Sequence, residues 1–137
     1  GLVAGLAAAR RLEGARFAIV GVQSEACPAM VRSLALGRAL LEFEGAPTLA
    51  EGLEGGVSET TFEVARRELA RMVAVPEAAI ADAMRFAKRD LGLTVEGSAA
   101  VTIAWLRAHA AEVAAPVVGV VSGRNVDPDT VARLLAE

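Results

Sequence analysis

A run of apolar residues from Val117 to Val121 stops abruptly at Ser122-Gly123-Arg124-Asn125, and Val126-Asp127-Pro128 follows. A short apolar run ended by turn residues predicts a strand buried on both faces, the kind found in parallel sheets. Asp127 has the chemistry of a helix N-cap, and Pro128 that of a first helical residue. A strand that hands over to a helix in this way is the repeating unit of an α/β sheet, where ligands bind beyond the carboxyl ends of strands. Ser122 stands at that end, and Gly123 allows backbone to approach a ligand closely. Taken alone, the segment is better read as a plain strand–loop–helix turn.

The remainder of the chain alternates in the same manner. Leu2 to Leu12 predicts a helix ended by Gly14, and Phe17 to Val22 a continuously apolar strand. Pro28 to Leu36 predicts a short helix closed by Gly37. Residues 43–57 hold Gly45, Pro47, Gly52, Gly55 and Gly56 and predict an irregular loop. Thr60 and Glu63 form a capping box, after which Phe62, Ala65, Leu69 and Met72 share one helical face. Val73 to Val75 predicts a short strand. Pro76 opens a helix with Ile80, Ala83, Met84 and Ala87 inside and Gly92 at its end. A short strand over Leu93 to Val95 and a buried helix over Ser98 to Val113, apolar nearly all round, come next. The fold class predicted is α/β with a mostly parallel sheet in a single domain.

Composition narrows the partners. The chain is 54% hydrophobic with a mean hydropathy of +0.44, more apolar than a free-standing domain of this size requires. Another segment or subunit is expected to cover part of that surface. No apolar stretch reaches ~18 residues without polar punctuation, which argues against a membrane span. Net charge is −3 and no basic stripe interleaves with aromatics, so nucleic acid is an unfavoured partner. A single cysteine, Cys27, excludes an internal disulfide and a cysteine-based zinc site. A reducing, cytoplasmic setting is expected, with no targeting segment visible. No complete Gly-x-Gly-x-x-Gly follows a predicted strand, which disfavours a nucleotide-binding domain.

Several segments together resemble one family. Ser122-Gly123-Arg124-Asn125 is similar to the Ser-Gly-Gly-Asn near the C-terminus of fold type II pyridoxal-phosphate enzymes, the threonine/serine dehydratases above all. Gly1-Leu2-Val3-Ala4-Gly5 resembles the end of their glycine-rich phosphate loop, and Val20-Gly21-Val22-Gln23-Ser24-Glu25 their strand ending in Val-Glu-Pro. Thr48-Leu49-Ala50-Glu51-Gly52-Leu53 is similar to their Thr-Ile-Ala-Asp-Gly, and Val95-Glu96-Gly97-Ser98-Ala99-Ala100 to their Val-Glu-Pro-Ala-Gly-Ala. The segments occur in family order over the whole chain.

The resemblance implies a three-layer αβα fold, the C-terminal, large-domain portion of the tryptophan synthase β-like architecture, with residues 1–137 as a single partial domain. It also implies what is missing. The family's Schiff-base lysine lies in an N-terminal half that has no counterpart here. The only lysine, Lys88, sits among Arg85, Arg89 and Asp90 on the polar side of a helix, without the desolvation that would activate it. The chain also begins on glycine rather than methionine, as expected of a fragment, and the parent is expected to resemble the shorter, catabolic-type dehydratases that lack an appended regulatory domain after the segment matching Glu137. The isolated chain is therefore expected to be inactive. The parent would convert L-threonine or L-serine to a 2-oxo acid and ammonia, as a homodimer or homotetramer. Alternatives are a serine racemase or β-substituting synthase of the same fold, or a non-catalytic half-domain that binds a complementary half.

For pyridoxal 5'-phosphate the resemblance implies contacts from Gly1, Leu2, Ser122, Gly123, Glu96, Gly52 and Glu51. Gly1 and Leu2 begin a helix whose N–H groups suit a phosphate, though a frayed terminus reads the same. Ser122 is expected at the cofactor's ring nitrogen. Glu96 is either a carboxylate stabilising a helix N-terminus or a group beside the ring, and Glu51 either a solvated loop acid or a neighbour of the site. Arg124 and Gly97 depart from the family pattern, Gly97 replacing a proline. Arg124 would point outward or reach a carboxylate. Asn125 stabilises the turn before the last helix. Some family members bind a divalent cation at positions matching Gln23, Cys27 and Ala29. Without carboxylates a hard cation is poorly served, so no metal is expected. Cys27 is expected to be a small packing residue. His109, without a partner motif, is expected at the surface.

Overall fold

The computed structural model describes residues 1–136; residue 137, the last of the expected domain, lies outside the described residues. Helix α1 spans Leu2–Leu12 and strand β1 Val20–Ser24. Helix α2 (Ala29–Leu36) is followed by a long loop with one 3-10 turn at Glu51–Leu53. Helix α3 (Glu59–Glu68) leads into strand β2 (Arg71–Val75), and α4 covers Glu77–Asp90. Helix α5 spans Gly97–His109, with a 3-10 turn at Ala110–Glu112, and α6 spans Pro128–Ala136.

The two strands run parallel, with Val20 beside Arg71 and Ser24 beside Val75. Parallel pairing demands a crossover, which the stretch from α2 to α3 supplies. Side chains alternate across the strands, and each face meets its own core. Val20, Val22, Val73 and Val75 face a cluster built from α4, α5 and Leu134 of α6. Met72 faces the other, with Met30, Phe62 and Ala65 from α2 and α3. Gly21 lies on that second face, where a Cβ would stand 2.4 Å from the Met72 sulfur. Helices on both sides of a parallel sheet make three αβα layers.

The inner face of α4 is as its periodicity predicts: Ile80, Ala83, Met84 and Ala87 are buried. Alanines at 83, 87, 100 and 104 let α4 and α5 approach closely, and Trp105 is buried in the same cluster. Burying a side chain the size of Ile80 stabilises by roughly 1.5–3 kcal/mol. Gly37 and Gly92 close α2 and α4 with left-handed backbone, φ 70° and 67°. Asp127 caps α6 by accepting from the Thr130 N–H at 3.2 Å. Among the described residues no helix is long and apolar enough to cross a membrane.

The structure corrects several expectations. Val117–Val121 forms no ladder among the described residues, and Val118 is 86% exposed. A strand exists only beside a neighbour that satisfies its N–H and C=O groups, so the sheet here has two strands rather than the larger set predicted. Leu93–Val95 is likewise no strand; the Leu93 N–H donates to the Ala87 carbonyl and closes α4 instead. The Phe17 carbonyl is taken by the Arg10 guanidinium at 2.9 Å, so β1 starts three residues late. Finally, α3 begins at Glu59 because Ser58, not Thr60, is its N-cap, its hydroxyl accepting the Thr61 N–H. Leu69 and Met72 then lie beyond the helix, yet still on its core.

Candidate functional site

Three segments distant in sequence meet at the start of α5. Glu96 is its N-cap residue, with extended backbone (φ −78°, ψ 159°), and its carbonyl accepts the first helical N–H groups, from Ala99 and Ala100. Its carboxylate does not cap α5. It turns to the loop before α6 and accepts the Asn125 N–H at 2.9 Å. The Glu96 N–H donates to the Gly123 carbonyl at 3.2 Å. Glu96 thus grips the Ser122–Asn125 loop through backbone and side chain together. Gly123 makes this possible: a Cβ there would stand 2.2 Å from Glu96 Cδ.

The loop at 48–53 closes the second side. A Cβ on Gly97 would lie 1.9 Å from the Leu49 carbonyl oxygen, so the loop backbone occupies the space that any larger residue, proline included, would need. The Gly52 N–H donates to Ser98 Oγ at 2.9 Å. Ser98 carries no signal in the sequence beyond its place beside Glu96. Gly52 itself faces Ser98 and Glu96, whose Oε1 would be 3.8 Å from a Cβ added at 52. Glu51 is exposed and makes no side-chain hydrogen bond among the described residues.

Ser122 is exposed, and its hydroxyl has no hydrogen-bond partner among the described residues. Arg124 points to solvent and forms no ion pair there; the Val126 N–H donates to its carbonyl and tightens the loop. Gly1 and Leu2 are exposed at the start of α1, with no side chain capping that helix. No hydrogen bond ties them to the Glu96 cluster. Helix α1 is held on α3 by the Arg10–Glu68 ion pair, 2.6 Å, and by Arg10 on the Glu68 carbonyl.

One residue that sequence reasoning missed underlies the 48–53 loop. Glu77, the first residue of α4, accepts hydrogen bonds from the Ser24 hydroxyl, the Thr48 hydroxyl (2.6 Å) and the Leu49 N–H (2.8 Å). Burial works to raise its pKa, but the three donors together outweigh it and hold the carboxyl below the usual range. An acidic residue in a first helical turn is common, which is why it carried no signal.

The other candidates have structural uses. Gln23 Oε1 accepts the Met30 and Val31 N–H groups at the start of α2, and its Nε2 donates to the Cys27 carbonyl at 3.4 Å. An amide and one carbonyl, without a carboxylate, do not fit a hard divalent cation. Cys27 is wholly buried, and burial pushes its thiol up. Lys88 is exposed and donates to Thr94 Oγ1 at 3.0 Å. His109 is half-buried at the end of α5, stacked on Trp105 with centroids 5.2 Å apart, its Nδ1 at 3.0 Å from the Trp105 carbonyl.

Comparison with known proteins bears on this arrangement. A family model described as pyridoxal-phosphate dependent enzyme matches residues 1–123. An L-threonine ammonia-lyase of Thermotoga maritima is 35% identical over 136 residues, 98% of this chain and 34% of that protein. The crystal structure of a T.th. threonine deaminase superposes with a TM-score of 0.83 at 30% identity, over 92% of this chain and 43% of that one. Maize serine racemase gives 0.82 at 26% identity, over 98% of this chain and 43% of its own. The chain thus spans about a third of the curated relative it matches.

Proposed function

Because the chain belongs to the pyridoxal-phosphate-dependent enzyme family, we propose that it is the C-terminal part of a threonine/serine dehydratase. The observation that supports this reading is the double grip of Glu96 on the Ser122–Asn125 loop, which holds at two points a loop whose Ser122 hydroxyl has no partner among the described residues. A hydroxyl beside a glycine that leaves no side chain in the way fits a flat heteroaromatic ring with a hydrogen-bonding nitrogen.

In this reading Ser122 binds the ring nitrogen of pyridoxal phosphate, and Gly123 admits the ring. The N–H groups of Gly1 and Leu2 help to hold the phosphate. Glu51 and Gly52 line the substrate side. Bound pyridoxal phosphate supplies the sink for electrons released at the substrate α-carbon. Ser122 is a neutral partner and does not hold a proton on the ring as a carboxylate would. That suits a reaction in which a leaving β-hydroxyl drains the charge promptly. Glu96 orients the Ser122 loop, and Asn125 receives its grip through the backbone.

The lysine that bonds the cofactor comes from the missing N-terminal half or from a separate complementary chain, and the parent enzyme assembles as a homodimer or homotetramer. The exposed valines at 117, 118, 120 and 121 support such a covering partner, since a strand laid beside them would satisfy backbone and bury side chains. The substrate is a small amino acid, L-threonine or L-serine, in a cytoplasmic setting; neither nucleic acid nor a membrane is a partner.

The test begins with the intact mass and N-terminal sequence of the polypeptide from its source, which establish whether the lysine-bearing half is continuous with Gly1. That protein, supplied with pyridoxal phosphate and L-threonine or L-serine, is expected to release a 2-oxo acid and ammonia. Conversion of L-serine to D-serine without ammonia would favour a racemase, the activity named for the maize protein of similar fold. Absence of both products and of cofactor absorbance would defeat the reading and leave a binding module.

A further inference from the structure

We propose that Glu77 is a positioning residue for the cofactor site, acting through the 48–53 loop; the inference rests on the assignment of that site above. Glu77 never reaches Glu96 or Ser122 itself. Its carboxylate instead joins β1, through the Ser24 hydroxyl, to Thr48 and Leu49. Both hydroxyls pass the constraint on. Ser24 Oγ accepts the Ala26 N–H and Thr48 Oγ1 accepts the Ala50 N–H, each at 2.9 Å. One carboxylate thereby organises the turn after β1 and the turn that leads to Glu51.

From there the path is steric and leaves no slack. The Leu49 carbonyl lies against Gly97 with no room for a methyl group. Ala50 is wholly buried in the main core, and its carbonyl starts the 3-10 turn by accepting the Leu53 N–H at 2.8 Å. Gly52 is then tied to Ser98, next to Glu96. Any shift of residues 48–50 moves the floor under Gly97, and with it Glu96 and the loop that Glu96 holds. Close-packed interiors transmit displacement in this way instead of absorbing it. Carboxylate chemistry is needed at 77 because all three of its partners are donors; an amide places an N–H where a hydroxyl proton points.

The test uses the longer, lysine-bearing protein with three variants, Glu77→Ala, Glu77→Gln and the control Glu68→Ala. Glu68→Ala removes the α1–α3 ion pair, remote from the loop. Two readouts are taken: hydrogen exchange of peptides covering 48–53 and 122–127 without cofactor, and pyridoxal phosphate affinity. Glu77→Ala is expected to speed exchange in both peptides and weaken affinity by about tenfold or more, the scale of several hydrogen bonds lost to a charged group. Glu77→Gln, which keeps an acceptor for the Leu49 N–H, falls between. Glu68→Ala loses stability but changes neither readout. Exchange and affinity within about twofold of the parent in both Glu77 variants, or equal losses in Glu68→Ala, would overturn the proposal. Should Glu77→Ala not fold, Thr48→Val takes its place with the same expectation. A parent that binds no pyridoxal phosphate defeats the functional reading alone, since exchange still reports whether Glu77 positions the 122–127 loop.

Discussion

Gly123 lies so close to the Glu96 carboxylate that a Cβ at 123 would fall 2.2 Å from Cδ and 2.3 Å from Oε1. Glu96 cannot simply swing away, because it holds the Asn125 N–H. Gly123→Ala is therefore expected to break one side of the grip at a cost of about 1–3 kcal/mol. The checks are urea unfolding and cofactor affinity of the longer protein. A variant with unchanged stability and affinity would show that the loop has another way to close.

Two glycine-to-alanine changes are expected to act in opposite directions. At Gly97 the obstacle is the Leu49 backbone, which has no rotamer to change, so Gly97→Ala destabilises by about 2 kcal/mol or more. At Gly5, inside α1, nothing lies within 4 Å of an added Cβ. Gly5→Ala is expected to stabilise by about 0.5–1 kcal/mol through helix propensity alone. Thermal unfolding of the pair side by side tests both signs.

Ser58 and Thr60 separate the observed helix start from the predicted one. Ser58→Ala removes the side-chain acceptor for the Thr61 N–H and is expected to cost about 1 kcal/mol. Thr60 is exposed within the first turn of α3, and Thr60→Ala stays within about 0.5 kcal/mol of the parent. Equal losses in urea unfolding would return the cap to Thr60.

Glu77 makes stability depend on acid pH. Its carboxyl titrates below the ordinary 4.5 in the folded state, so the unfolded chain takes up the proton first as pH falls. The stabilisation is fully present above about pH 4.5 and is lost as pH drops through the lower folded value. The stability difference between the parent and Glu77→Gln is expected to shrink below that pH and to be constant between about pH 6 and 8. Urea midpoints measured from about pH 3 to 8 give the curve; a difference that grows on acidification would contradict it.

Local signals accounted for most of the helices. The inner face of α4, the closing glycines 37 and 92, and the Asp127 cap all depend on residues within one or two turns of each other, and each stands where periodicity and capping chemistry predict. The motifs around Glu96, Gly52 and Ser122 likewise identified segments that the fold brings to one place. Their roles were open in the sequence, since a carboxylate at 96 fits an ordinary helix start as well as a place beside the cofactor ring.

What tertiary structure alone decided is which groups satisfy one another. The Glu77 partners lie 53, 29 and 28 residues away, and nothing local distinguishes this glutamate from any first-turn acid. Val117–Val121 has the composition of a buried strand, yet strand formation is a property of two segments side by side, and no strand pairs with it among the described residues. Periodicity and caps are written into consecutive residues, because a helix closes its hydrogen bonds within itself. Sheet edges, clamped loops and shared carboxylates are settled only when distant segments compete for the same donors and the same space.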